Sequence, residues 1–315
     1  MKVEINMINV EDGDAIILML QKGTEKALIL IDGGYKKHYH KLKKRLKQVL
    51  PHFNNKIDLV VCTHYDNDHL GGVEKVIDDY HNIIEEIWIH KIYDTLDEQI
   101  DFMDKKLKLL EGHYSELNRM NQLVGTDASS GEMVMEGYKD LLRVIRKIVS
   151  FNLESKVVEA TRGQVLQGFE EFKVMGPTPD YYNKHLSDLK KEGIKEDMQH
   201  SVLEKQSLLE SASEHSEAKK MKKLTDLINP CSKLEKSSVA KRVSATNMVS
   251  IVTLLNANNK KYLFTGDAGI ESFQEEDLLD QDLKNIDWLD LPHHGSKNNT
   301  SKIMLDHFNP KVVLC

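Results

Sequence analysis

The stretch Ile57-Asp58-Leu59-Val60-Val61-Cys62-Thr63-His64-Tyr65-Asp66-Asn67-Asp68-His69-Leu70-Gly71-Gly72 decides how this chain is read. Its first part is an apolar, β-branched run that predicts a buried strand. The part after it packs four groups able to bind a metal ion, His64, Asp66, Asp68 and His69, into six residues. Ligands at the end of a buried strand, on a loop closed by glycines, are held by a rigid scaffold. Two imidazoles and two carboxylates form a mixed nitrogen and oxygen set, which suits zinc, manganese or iron better than calcium. Four ligands this close crowd one ion but can serve two ions that share a bridging water. A solvated polar turn is the bland alternative, and strict alternation of His and Asp after a strand argues against it.

The C-terminal third supplies the context. Tyr262-Leu263-Phe264-Thr265-Gly266-Asp267 is a short apolar strand ending in Gly-Asp, and Leu289-Asp290-Leu291-Pro292-His293-His294-Gly295-Ser296-Lys297 is another ending in paired histidines. A lone Gly-Asp is usually a turn. The three pieces in this order are far more specific.

With them the chain resembles the metallo-β-lactamase-fold hydrolases, and within these the soluble domain of ComEC-type DNA-uptake proteins. The usual first motif of that superfamily is His-x-His-x-Asp-His; the form here, His-x-Asp-x-Asp-His, is that of the ComEC-like branch. Asn9-Val10-Glu11-Asp12-Gly13-Asp14-Ala15-Ile16 resembles the N-terminal signature of the branch, and Leu30-Ile31-Asp32-Gly33-Gly34 its following strand and turn. The resemblance covers about residues 1–90 and 245–315. It implies an α/β fold, an αββα sandwich of two mixed sheets, and a site for two divalent metal ions, zinc or manganese. His64 and Asp66 would hold one ion, Asp68 and His69 the other, with Asp267 bridging. His293 or His294 would complete the second position, the other orienting substrate or protonating the leaving group. His293 is taken here as the ligand. Asp68, which helps place the bridging hydroxide, His294 and Lys297, a point charge for a phosphate, are the candidate catalytic residues. Asp32 would orient a ligand imidazole, or merely cap the turn before Gly33-Gly34.

Two departures stand out. Many superfamily members carry a further His where this chain reads Ala245-Thr246-Asn247-Met248-Val249-Ser250. The first ion position is therefore expected to be poorer in ligands, with Asn247 or Ser250 pointing in. ComEC-like domains also tend to carry a late His-Pro, whereas this sequence stops at Cys315 inside the strand-like Lys311–Cys315, so a continuation is expected.

Composition bounds the rest. The 315 residues suit one large domain or two ordinary ones, and a hydrophobic share of 40% supports a sizeable core. A net charge of −7 excludes a protein that is basic overall, so any nucleic-acid contact must be local. The cysteines Cys62, Cys231 and Cys315 are too widely spaced for a disulfide framework or a zinc finger, which fits a reducing compartment. The charged first strand does not read as a secretory leader, and no apolar run approaches the length of a membrane span. A cytoplasmic protein without membrane contact is expected.

Three segments are expected. Residues 1–94 form the N-terminal half of the sandwich, and 246–315 the C-terminal half. Residues 95–245 form a long, charged, partly flexible helical insertion with a few strand residues. Strands are predicted at Val3–Asn9, Ala15–Leu20, Ala27–Ile31, Ile57–Thr63, Ile84–Ile89, Phe172–Met175, Val249–Leu255, Tyr262–Thr265, Trp288–Leu291 and Lys311–Cys315. Helices are predicted at Lys36–Leu50 (stopped by Pro51), Val73–Tyr80, within 95–150, at Ile270–Leu283 and at Ser301–Phe308. Residues 183–261 contain no Phe, Tyr or Trp. The part from 183 to 242, rich in Lys, Glu and Ser, is expected to be a mobile or extended helical arm and a candidate seat for a protein partner.

The basic run Lys36, Lys37, Lys41, Lys43, Lys44, Arg45 and Lys47 carries no acid and follows Gly33-Gly34. It is a candidate track for DNA or RNA, against the plainer reading of a solvated helix face. His38, His40, His52, His81, His90 and His113 lack ligand spacing and read as surface or packing residues. The expected function is a metal-dependent hydrolase, most of all a phosphodiesterase or nuclease. The alternatives are a hydrolase of another ester or small phosphodiester, and a non-catalytic subunit that binds a partner through its insertion.

Overall fold

The computed structural model describes residues 1–124, 129–191, 243–275, 283–296 and 299–314. Its strands are β1 (Lys2–Met7), β2 (Ile16–Lys22), β3 (Glu25–Ile31), β4 (Leu59–Val61), β5 (Ile87–Trp88), β6 (Val157–Val158), β7 (Val165–Leu166), β8 (Phe169–Gly176), β9 (Val252–Ala257), β10 (Lys260–Phe264), β11 (Trp288–Asp290) and β12 (Val312–Leu314). They build two sheets in the orders β1-β2-β3-β4-β5-β6 and β12-β11-β10-β9-β8-β7. Each sheet is mixed: β2–β3 is antiparallel and β3–β4 parallel in the first, β9–β10 antiparallel and β10–β11 parallel in the second.

Side-chain alternation explains the layering. Along β2, Ile16, Leu18 and Leu20 face the second sheet, where Phe172, Val174, Phe264 and Trp288 meet them. Ile17 and Met19 face the other way, onto helices. A strand buried on both faces reads as a continuous apolar run, as β2, β3 and β4 do.

The helices over the first sheet are α1 (Tyr39–Val49), α2 (Asn67–Leu70), α3 (Val73–Tyr80), α4 (Leu96–Val124) and α5 (Ser129–Ser150). In α1 the buried positions are Tyr39, Leu42, Leu46 and Val49, the helical spacing of a single apolar face. Next come α6 (Pro179–Lys191), α7 (Ala245–Met248), α8 (Ile270–Glu275) and α9 (Lys302–Phe308). Phe273 of α8 and Met304 and Phe308 of α9 cover the outer face of the second sheet with Val252, Leu254, Leu263 and Leu289. The result is the expected αββα sandwich.

The stretch 95–245 is only partly outside this frame. Its strand β6 borders the first sheet, and β7 and β8 extend the second. The two-residue strands β6 and β7 are too short to leave a periodic signal in sequence. The helix expected at Lys36–Leu50 is divided: 3-10 turns at Lys36–His38 and Leu50–His52 flank α1. The first three residues of the strand expected from Val249 lie outside β9, in the turn at the end of α7 or joining it to the strand. The mobile arm expected at 183–242 begins inside α6, and its part from 192 to 242 lies outside the described residues. Residues 276–282 of the expected acidic helix, and Cys231 and Cys315, also lie outside them. Among the described residues, no helix is long and apolar enough to cross a membrane.

Candidate metal centre

At one end of the sandwich both sheets deliver polar side chains. Asp32 follows β3, His64 follows β4, Asp267 follows β10, and His293 and His294 follow β11. Asp14 precedes β2, and Asn247 sits on α7 just ahead of β9.

Thr63 joins the sheets. Its carbonyl accepts from the Ile251 amide at 2.9 Å. Gly266 lies so close that a Cβ there would stand 2.9 Å from the Thr63 side chain, and its φ of +49° lies in the left-handed region. Gly13 is similarly tied to its place, since a Cβ would fall 2.3 Å from the Asp68 carbonyl.

Asp32, fully buried, organises the centre. Its Oδ1 accepts from the Thr63 amide at 2.8 Å, and its Oδ2 accepts from Thr63 Oγ1 at 2.6 Å. The same Oδ2 lies 2.8 Å from His69 Nδ1. A carboxylate only accepts, so the hydrogen-bond network puts a proton on His69 Nδ1. Thr63 Oγ1 has given its one hydrogen to Asp32, so it accepts from His64 Nδ1 at 3.0 Å. One carboxylate thus fixes the ring orientation of both histidines and turns both Nε2 atoms toward Asp267.

There the donors converge. His69 Nε2 is 3.1 Å from Asp267 Oδ1, and His64 Nε2 is 3.5 Å from Asp267 Oδ2. Asp66 Oδ2 lies 3.7 Å from His64 Nε2. Asp14, His69, Asp267 and His294 each offer one ligand atom within 4.8 Å of the others, and so do His64, Asp66 and Asp267. Asp267 belongs to both groups, one oxygen toward each. His64 Nε2, His69 Nε2, His294 Nε2 and Asp267 Oδ1 are buried and have no hydrogen-bond partner. Orphaned lone pairs aimed at a common space, among carboxylates, fit divalent metal binding.

The electrostatics agree. Burial alone would lower the His69 pKa, but the charges of Asp267 and Asp68 override it and hold the imidazole well above its ordinary value. Burial would likewise raise Asp267, yet His69 and His64 hold it well below the usual carboxylate range. Burial pushes Asp14 and Asp66 upward. Without cations the acids draw protons onto the imidazoles; bound cations would replace those protons.

The other expected residues are placed as follows. Asp68 borders the first group, with Oδ2 3.8 Å from His69 Nε2 and 3.7 Å from His294 Nε2. His294, not His293, belongs to that group. His293 lies 3.5 Å from Asp267 Oδ2 through Nε2, has its Nδ1 3.1 Å from Asn299 Oδ1, and is 39% exposed. Both histidines have positive φ, +47° and +52°, a costly backbone state that turns them inward at the end of β11. Lys297 lies outside the described residues. Asn247 is buried, with Nδ2 3.4 Å from Asp267 Oδ2.

Sequence reasoning gave two of the site residues no role. Asp14 lies within the N-terminal signature, and its one local signal is the glycine before it. Asp290 is buried at the end of β11, its carboxyl held well above the usual range by burial and then by the charge of Asp14. A single Asp inside an apolar strand carries no pattern that marks it.

The basic run is largely engaged elsewhere. Lys36 pairs with Glu74 at 2.7 Å, Lys37 with Glu11 at 3.0 Å and Lys43 with Asp79 at 2.7 Å. Arg45 reaches Asn6 and Glu4, and Lys41 the Asn9 carbonyl. His90 packs in the interior, stacked on Tyr182, and burial lowers its pKa to about 3.

A family model described as the metallo-beta-lactamase superfamily matches residues 16–131. No curated protein matches the chain. The match runs from β2 to the start of α5, including His64, Asp66, Asp68 and His69, and together with the donor cluster it supports a metal-dependent hydrolase.

Proposed function

We propose that the chain is a metal-dependent phosphodiesterase using two divalent ions, zinc or manganese. The donor set carries this reading: Asp14, Asp66, Asp68 and Asp267 stand against His64, His69 and His294. Sets this rich in carboxylate oxygen suit hard ions, which bind phosphate oxygens well. Ions bound there would supply Lewis acidity and a deprotonated water at neutral pH.

The residues divide the remaining work. Asp32 holds His64 and His69 in the tautomer that leaves Nε2 bare. Asp267, with Oδ1 facing His69 and Oδ2 facing His64, would be shared between the two positions. His294 completes the group around Asp14 and His69. His293, more exposed and steadied by Asn299, is the candidate to protonate a leaving oxygen. Lys297 is kept as the candidate phosphate contact on its sequence position alone.

The test is turnover of single- and double-stranded DNA, RNA and a chromogenic phosphodiester, with manganese or zinc. Turnover of at least one, abolished by Asp68→Ala, supports the proposal. Full metal loading without turnover of any of them sinks it.

A small phosphodiester is the second reading. It is favoured by the ion pairs of Lys36, Lys37 and Lys43, which leave the basic face less charge for a long polyanion. Cleavage of the chromogenic diester but of no nucleic acid would select it.

A further inference from the structure

Helix α2, which carries Asp68 and His69, is held from several sides. The Asp14 amide donates to the Asp68 carbonyl at 3.1 Å, and the Gly33 amide to the His69 carbonyl at 2.8 Å. Both ties come from the sheet frame. A third comes from α5, which packs across α2. Asp140 of α5 is fully buried, and its Oδ2 accepts from Asn67 Nδ2. Its Oδ1 accepts from Arg143 one turn on, which balances the buried charge. Asp140 also closes over Gly71, where an added Cβ would stand 3.3 Å from Oδ2.

Asn67 sits between Asp66 and Asp68 in the chain. Fixing its side chain restrains the backbone that aims both carboxylates. Burying a charged group is costly unless it is fully paired, so the contact is a demanding one to keep at a helix surface. The hydrophobic seam beside it, Met103 and Leu107 of α4 with Leu141, Val144, Ile145 and Ile148 of α5, would hold the two helices without any carboxylate.

We propose that Asp140 is a positioning residue for the metal loop: through Asn67 it makes the α4–α5 helical pair part of the support that sets the Asp66 and Asp68 ligands. The proposal rests on the metal reading above. Removing an outer partner of a metal ligand commonly costs 10- to 100-fold in affinity, and Asp140 acts one residue further away.

The experiment measures zinc and manganese dissociation constants by competition with a chromophoric chelator. The variants are Asp140→Ala, Asn67→Ala and the double variant, with Asp104→Ala as a control. Asp104 pairs with Arg146 across α4 and α5 at an exposed position. Each single variant should weaken binding by about 10-fold, and the double by about the same factor, because both remove one interaction. Asp104→Ala should leave affinity unchanged. Affinity unchanged in Asp140→Ala, or effects that multiply in the double variant, overturns the proposal. If Asp140→Ala does not fold, Asp140→Asn keeps the volume and an acceptor for Asn67, and should bind metal more tightly than Asn67→Ala; the reverse order overturns the proposal. If wild type binds neither ion, the metal reading fails by itself. Hydrogen exchange of amides 66–72 then decides: faster exchange in Asp140→Ala supports the brace, and unchanged exchange removes it.

Discussion

The two sides of Asp267 are unequal. On the side of Oδ1, His69 stands at 3.1 Å and is grouped with Asp14 and His294, with Asp68 at the border. Around Oδ2 stand His64 and Asp66, with His293 Nε2 at 3.5 Å and the Asn247 amide nitrogen at 3.4 Å. The first side has a surplus of donors. The second has a neutral amide at Asn247, and its further imidazole, His293, is half-exposed and stands outside the His64, Asp66 and Asp267 group. If two ions bind as proposed, a shared carboxylate would join a strong position to a weak one, and occupancy of the two should separate on titration.

Asp267→Ala should break the comparison altogether, since both positions lose the shared ligand. Metal content should fall from the proposed two ions per chain toward zero, and any hydrolytic turnover should drop by orders of magnitude. Elemental analysis and turnover with added manganese check this. Retention of one full ion would show that the sides do not depend on each other.

Asp32→Ala should come next. It removes the acceptor that orients His69 directly and His64 through Thr63. Outer partners of this kind are worth about 10- to 100-fold in metal affinity. The loss should appear on both sides in a metal titration, whereas Asn247→His should act on the weaker side alone and tighten the second binding step.

Much of this is legible in sequence, and for identifiable reasons. Strands β2, β3, β4 and β10 are apolar runs bounded by turn residues. His64, Asp66, Asp68 and His69 follow one of them within six residues. Asp267 and the paired histidines close their own strands. The choice between His293 and His294 is not legible. Adjacent residues differ by a rotation of the chain, and here that rotation is an uncommon left-handed turn. Asp14 and Asp140 are illegible for a related reason: each gains its meaning from a residue far along the chain, His69 and Asn67 respectively. The pairing of the basic run is hidden because its acids, Glu11, Glu74 and Asp79, lie outside the run.

Removing the ions should give a smaller, pH-dependent effect. In the metal-free protein His69 has a raised pKa, so its contribution to stability is complete below the ordinary histidine value of 6.5 and is lost as pH rises through the raised one. Asp267 is depressed, so its contribution is present above 3.8 and is lost only as pH falls through its lower value. Chelated protein should therefore lose thermal stability as pH rises above neutrality, while loaded protein should not. The gap in Tm between the two should widen with pH. A constant gap would mean that His69 carries no proton in the empty site.

The smallest effect is expected in the basic run, on α1 and the 3-10 turn before it. If the chain acts on long nucleic acid, Lys37→Ala with Lys44→Ala should weaken binding and make its salt dependence shallower, by about one unit of slope for each phosphate no longer neutralised. Lys37 already faces Glu11 at 3.0 Å and both side chains are exposed, so the charge it can offer a phosphate is partly spent. Removing it also frees Glu11, which His38 approaches to 3.0 Å. The expected change is therefore a few-fold at low salt, with turnover of a small chromogenic diester unaltered. Fluorescence anisotropy with a labelled oligonucleotide across a salt series measures it. A large loss of affinity, with a slope change near two, would show that the ion pairs of the basic run open readily for a polyanion and would restore the run as a nucleic-acid track. No change at any salt would leave recognition to the donor cluster itself, and with it the small-substrate reading.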